Sequence, residues 1–160
     1  MPAGSNPTIH PACERCRRSL AGDPLRCPAC GSLERAAPCR SHRDRLTTSA
    51  CVICGAPLCP ECRYGPRHAS LCSRHADVPL IEGWAEVLRT ADEIEARLVS
   101  DGLNGEGIEA RVLSQKDRTN VVTFGGLSVL RVLVPAYRFT EAGDWIEQGT
   151  PRDGSGRNAG

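Results

Sequence analysis

All ten cysteines of this 160-residue chain lie between Cys13 and Cys72. Eight of them form Cys-x-x-Cys pairs, and the other two, Cys39 and Cys72, each stand three positions before a histidine. Such pairing constrains a fold strongly. A Cys-x-x-Cys turn holds two sulfurs about one tetrahedral edge apart, so two such turns supply the four bonds of about 2.3 Å that a zinc ion takes. Composition leaves little alternative, because the first 80 residues contain one Tyr, no Phe and no Trp. A conventional apolar core cannot be assembled there, and coordination must replace it. The 88 residues after Cys72 contain no cysteine but carry both Trp and both Phe, so the chain is two-part by composition.

The first constellation is Cys13-x-x-Cys16, ten residues, then Cys27-Pro-Ala-Cys30-Gly31. The glycine lets the backbone turn tightly with its amides directed at the thiolates. The second reads Cys39-x-x-His42, Cys51-x-x-Cys54-Gly55, Cys59-x-x-Cys62 and Cys72-x-x-His75. Only four residues separate Cys54 from Cys59, too few for two sites closed one after the other. An interleaved arrangement relieves this: Cys39, His42, Cys59 and Cys62 at one site, Cys51, Cys54, Cys72 and His75 at the other. Ten cysteines with His42 and His75 make twelve ligands, which is three tetrahedral sites with none left over. His10 and His68 are surplus. The alternative last pair, His68 with Cys72, leaves His75 free; the repeated two-residue gap favours Cys72 with His75.

Residues 1–11 lack the charged start and apolar stretch of a signal peptide, and no run approaches a membrane span, the best being broken by Arg131. A cytoplasmic protein is expected. In a reducing compartment paired cysteines hold metal more often than they form disulfides. A catalytic zinc needs an open position for water, and each of these sites is already full. A dithiol redox couple is expected at a helix start after a strand, and no such context precedes any pair.

The two Cys-x-x-Cys pairs over Ala12 to Leu33, the second reading Cys-Pro-x-Cys-Gly, resemble a zinc ribbon. The ligand order over Pro38 to His75 resembles the cross-braced B-box type of zinc finger in its bacterial form. That resemblance implies that Leu58 and Leu71, just before the third and fourth pairs, pack between the metals.

Residues 1–80 carry eleven arginines against six acids, formally +5, which ordinarily suggests a nucleic-acid-binding arm. Ten thiolates contribute −10 and three zinc ions +6, leaving the metallated half near +1. Part of the arginine excess, including Arg15, Arg17, Arg40 and Arg63, therefore offsets thiolate charge. No interleaved aromatics stand ready to stack bases.

From Trp84 the pattern changes. Ala85 to Arg89 reads as a strand, and Thr90-Ala91-Asp92-Glu93 as a capping box opening a helix. Ala91, Ile94, Leu98 and Val99 form its expected apolar stripe, Asp92, Glu93, Glu95 and Arg97 its wet face, and Gly102, Gly105 and Gly107 its end. A strand is expected over Glu109 to Leu113, a glycine-containing loop through Gly126, and the strongest strand over Leu127 to Val134, stopped by Pro135. A last helix runs from Glu141 to Gln148, with Trp145 and Ile146 packing back. The order is β-α-β-β-α. "VLRTADEIEARLVSDGLNGEGIEARVLSQ" followed by "VLRVLVPAYRFTEAGDWI" resembles a small prokaryotic family of signal-transducing proteins. The resemblance implies a ferredoxin-like sheet similar to that of the nitrogen-regulatory PII proteins. It also implies a ligand loop at 114–126, where Lys116, Arg118 and Gly125-Gly126 face an anion; no phosphate-cradling motif accompanies them.

The expected organisation is a flexible N-terminus (1–11), a zinc ribbon (12–37), a B-box-type double zinc finger (38–78), a linker (79–83), an α+β ferredoxin-like domain (84–149) and a disordered tail (150–160). No catalytic constellation stands out, and Asp92, Glu93 and Glu95 read as a solvated helix face. The expected function is a non-enzymatic adaptor or regulator that binds a protein partner and uses three structural zinc ions. The other readings are nucleic-acid binding through the zinc modules and a PII-like sensor of a small ligand.

Overall fold

The computed structural model describes residues 12–20, 25–115 and 129–149. The expected flexible start and tail, His10, and the loop residues Lys116, Arg118, Gly125 and Gly126 lie outside these residues. The chain divides into two units, Met1–Gly83 and Trp84–Gly160.

The first unit contains little regular structure. Strand β1 (Ser32–Pro38) pairs antiparallel with β2 (Leu46–Ser49) in a two-stranded sheet. Single 3-10 turns cover Pro60–Cys62 and Ser73–His75, and a two-residue strand, β3 (Leu80–Ile81), closes the unit. That strand lies inside the segment expected to be a plain linker. It is followed by Glu82 and Gly83, both with positive φ (50° and 90°), the backbone of a tight turn. The small apolar interior consists of Ala50, Val52, Ile53, Leu58 and Leu71 beside the buried sulfurs. The expected ribbon and double finger are joined rather than strung in series. Strand β1 leaves one and pairs with the other, Ala50 N donates to Gly31 O (2.7 Å), and the Arg26 guanidinium donates to the Cys51 carbonyl (2.7 Å).

The second unit is α+β. Its elements are β4 (Trp84–Thr90), α1 (Glu93–Gly105), β5 (Arg111–Gln115), β6 (Val129–Pro135), a 3-10 turn (Ala136–Arg138) and α2 (Phe139–Gly149). The sheet order is β4-β6-β5, with β6 antiparallel to both neighbours. Helix α1 thus carries the chain between two parallel strands that are separated by the strand still to come. Ala96, Leu103, Ile108, Leu130, Val132, Val134 and Ala142 form the core, with Leu88, Val99, Trp145 and Ile146 packed on it. Burying each of the Leu, Ile and Val side chains contributes about 1.5–3 kcal/mol.

Helix α1 corrects three expectations. Its N-cap is Asp92, not Thr90: Asp92 Oδ1 accepts from Ile94 N (2.8 Å) and Glu95 N (3.3 Å), while Thr90 Oγ1 accepts from Asp92 N (3.0 Å). Its inward face is Ala96, Ser100 and Leu103; of the expected stripe Val99 packs on the core, whereas Ala91 is exposed and Ile94 and Leu98 are 70% and 67% exposed. Small residues at positions 96 and 100 let the helix lie close to the sheet, and the larger residues are left outside. The helix also runs through Gly102 to Gly105, and Gly107, as expected, marks its end just past the Glu106 cap. Gly107 N donates to Asn104 O (3.0 Å) and Ile108 N to Leu103 O (2.9 Å), with Gly107 at φ 75°. This is the Schellman pattern, and its usual apolar contact is made by Leu103 and Ile108, both in the core.

Strand boundaries shift by one or two residues. The second strand of the unit is Arg111–Gln115 rather than Glu109 to Leu113, because Asn104 engages Ala110 instead: Ala110 N donates to Asn104 Oδ1 (3.0 Å) and Asn104 Nδ2 donates to Ala110 O (3.2 Å). Leu127, the expected start of the third, lies outside the described residues.

Gly102 has a packing reason. A Cβ there would run into the Trp145 ring. Gly-to-Ala in a helix interior ordinarily stabilises by about 0.5–1 kcal/mol; here Gly102→Ala is expected to destabilise by about 1–3 kcal/mol because the indole must move. Chemical denaturation followed by tryptophan fluorescence checks the sign, and a stabilised variant contradicts this packing.

Candidate metal centres

One backbone turn occurs three times in the first unit. Cys13 N donates to Arg18 O (2.9 Å) and Arg17 N to Cys13 O (2.7 Å). Cys27 N with Ser32 O (2.7 Å) and Gly31 N with Cys27 O (2.9 Å) repeat it, as do Cys51 N with Ala56 O and Gly55 N with Cys51 O (both 2.9 Å). Each turn is pinned at its base by a bridge: Ala12 with Ser19, Arg26 with Leu33, Ala50 with Pro57. The fifth position has a positive φ every time: Arg17 59°, Gly31 77°, Gly55 76°. Glycine is the residue that adopts this without strain, and the first turn uses an arginine instead. The pairs Cys59/Cys62 and Cys72/His75 use a tighter device, a 3-10 turn closed by Cys62 N to Cys59 O and His75 N to Cys72 O, both 3.0 Å.

These turns bring twelve side chains into three groups. Cys13, Cys16, Cys27 and Cys30 form one; Cys39, His42, Cys59 and Cys62 a second; Cys51, Cys54, Cys72 and His75 a third. Within each group the candidate ligand atoms all lie within 4.8 Å of one another. The second and third groups interleave along the chain. His75 joins Cys72, and His68 lies in none of the groups.

The spacings match a tetrahedral metal. Four sulfurs at about 2.3 Å from one zinc stand about 3.8 Å apart, and a sulfur and a nitrogen about 3.5 Å apart. Cys13 and Cys30 Sγ are 3.7 Å apart, Cys16 and Cys27 3.7 Å, and Cys54 and Cys72 3.8 Å. His42 Nδ1 is 3.4 Å from Cys59 Sγ and 3.3 Å from Cys62 Sγ. His75 Nδ1 is 3.2 Å from Cys72 Sγ and 3.6 Å from Cys51 Sγ. A disulfide needs sulfurs at about 2.05 Å, and all ten cysteines are free thiols. Seven of the ten are buried, which suits closed sites rather than reactive ones. The arrangement is consistent with three zinc sites.

Gathering thiols without a cation divides their acidities. Burial raises the Cys13 thiol, but the amides of Cys16 and Arg15 and the facing sulfurs outweigh it and bring the thiol down to about 7. A backbone hydrogen bond from Cys59 brings Cys39 down to about 6. Burial raises Cys30 in the first group, Cys62 to about 11 in the second and Cys51 to about 11 in the third. Each group therefore retains protons at neutral pH until a cation offsets thiolate repulsion. His75 is lowered by its burial and by Arg74, which favours the neutral imidazole a metal requires.

Arg26 is a structural element that sequence reasoning passes over. It caps the Cys51 turn from outside, and its Nη1 would lie 2.9 Å from a Cβ at Gly55. Nothing in the spacing of residues around Arg26 announces that contact. Leu58 and Leu71 are buried, 4% and 1% exposed.

Comparisons with protein-family models, curated proteins and solved structures found no match.

Two expectations follow. Native mass spectrometry should find three zinc ions per chain, and zinc uptake at pH 7 should release at least one proton per group, from Cys30, Cys62 and Cys51. Acidification then works against retention, since protons compete for the thiolates; uptake with no proton release contradicts this. Second, Gly31→Ala should destabilise the first unit by more than about 2 kcal/mol, as its Cβ would strike the Ala50 carbonyl at a positive φ. Arg17→Gly, relieving the same strain, should stabilise by about 0.5–1 kcal/mol in zinc-loaded protein. Denaturant titration of both variants checks the opposite signs.

Proposed function

We propose that this chain is a non-enzymatic, zinc-stabilised adaptor or regulatory protein that binds a protein partner, with Cys13, Cys16, Cys27 and Cys30, then Cys39, His42, Cys59 and Cys62, then Cys51, Cys54, Cys72 and His75 as the three ligand sets. The observation that carries this reading is that every candidate centre has four protein ligands. A full tetrahedron leaves no position for a water or substrate, so the metals serve to fold the unit and not to activate a reactant.

The finer assignments belong to the same proposal. A ribbon for the first group is supported by its two matching turns. A B-box-type cross-brace for the other two is supported by the alternation of ligand pairs along the chain. For the second unit, a ferredoxin-like, PII-related fold is supported by the β4-β6-β5 order and by α1 crossing between two parallel strands. Zinc modules of this size give a rigid surface from few residues, and the edge strand β5 offers Val112 and Leu113 partly exposed, 39% and 38%.

Affinity capture from the native cell with the zinc-loaded chain, and with chain stripped by a chelator, tests the reading. A reproducible protein partner that is lost on stripping is expected. Capture that vanishes with nuclease treatment, or that recovers no reproducible protein, counts against it.

A further inference from the structure

The Cys-x-x-Cys turn is built three times with the same backbone bonds, but its fourth residue meets different surroundings each time. Cys16 is half-buried, Cys30 is buried and Cys54 is exposed. Of all ten cysteines, Cys54 alone is exposed. The contacts of its turn explain why. Ala50 N donates to Gly31 O (2.7 Å), Val52 N to Ser70 O (2.9 Å), and the Arg26 guanidinium to the Cys51 carbonyl (2.7 Å). These fastenings cover Cys51, Val52 and Ile53, all buried, and leave Cys54 outside them.

Within the third group a second sulfur stands beside the exposed one. Cys54 Sγ is 3.8 Å from Cys72 Sγ, and Cys72 is buried. A thiol that ligates a metal is deprotonated, so the form that oxidants attack is present at neutral pH. Two-electron oxidation selects thiolates that solvent reaches and that have a resolving sulfur next to them. The first and second groups present no exposed thiolate.

We propose that Cys54 is an oxidative modification site, attacked by hydroperoxides such as hydrogen peroxide, and that Cys72 joins it in a disulfide that dismantles the third metal centre. The proposal rests on the three-zinc assignment and not on the protein-binding reading. The Cys54 thiolate attacks one peroxide oxygen: an S–O bond forms, the O–O bond breaks and hydroxide leaves. The Cys72 thiolate then attacks the Cys54 sulfur: an S–S bond forms, the S–O bond breaks and a second hydroxide leaves. Each sulfur loses one electron, and the peroxide gains two. Cys51 and His75 remain, two ligands where a closed site needs four. The new bond joins two different ligand pairs, so it is not a Cys-x-x-Cys dithiol couple.

The test uses zinc-loaded full chain and dilute hydrogen peroxide, with a colorimetric zinc indicator and peptide mapping after alkylation of the remaining thiols. One zinc ion should leave at least about fivefold faster than the others, and a Cys54–Cys72 disulfide should accumulate in step with it. Cys54→His keeps four ligands and should slow that first release by about fivefold or more. If this variant does not hold three ions, the order of oxidation in the unaltered chain decides. Release of all the zinc in one phase, first oxidation at Cys16 or Cys62, or a Cys51–Cys54 disulfide would overturn the proposal. Fewer than three zinc ions before oxidant is added overturns the ligand assignment itself, so the two failures are told apart.

Discussion

Thiolates held less than 4 Å apart repel one another, and burial makes that repulsion worse. Everything in the first unit depends on an answer to this problem. Cys30, Cys62 and Cys51 are each driven toward the neutral thiol in the absence of a cation, although each sits in a group spaced like the edges of a tetrahedron. A divalent ion shared by each group resolves the conflict, replacing a core that this stretch of chain cannot build from Ala50, Val52, Ile53, Leu58 and Leu71 alone. The same coupling makes metal affinity and folding free energy one quantity. An ion bound only by the folded unit stabilises it the more, the tighter it binds and the higher its free concentration, and stripping the ion removes the scaffold.

Much of this was legible because it is covalent in origin. The two-residue gap between ligands is set by chain geometry, so the turns at Cys13, Cys27 and Cys51 can be anticipated without any tertiary information. The interleaving followed from the four-residue gap after Cys54. What could not be read was the cost hidden at Arg17, where the position filled by glycine in the sister turns bears a side chain at positive φ. The joining of the first ligand group to the other two through β1, the Arg26 guanidinium and Gly31 was equally hidden, since these contacts leave no periodic trace.

In the second unit the order of elements was legible and the face of the first helix was not. A stripe weighted by side-chain size selects Ile94 and Leu98, yet the sheet receives Ala96 and Ser100. Close approach of helix to sheet rewards small residues, and hydrophobicity counts them poorly. Gly102 belongs to the same economy of space: it looks like a helix breaker, but it is the place where the Trp145 ring rests. The Asp92 cap was displaced from Thr90 because both hydroxyl and carboxylate can serve, and only the backbone conformation decides between them.

The central claim is that three ions are held in one closed group and two interleaved ones. Cadmium-113 substitution with proton–cadmium correlation spectroscopy tests it most directly, because scalar coupling reports which cysteine β-protons share a metal. Three cadmium signals are predicted: one coupled to Cys13, Cys16, Cys27 and Cys30, one to Cys39, Cys59 and Cys62, and one to Cys51, Cys54 and Cys72. Fewer than three signals, or a signal that couples Cys39 with Cys51 and Cys54, would contradict the account.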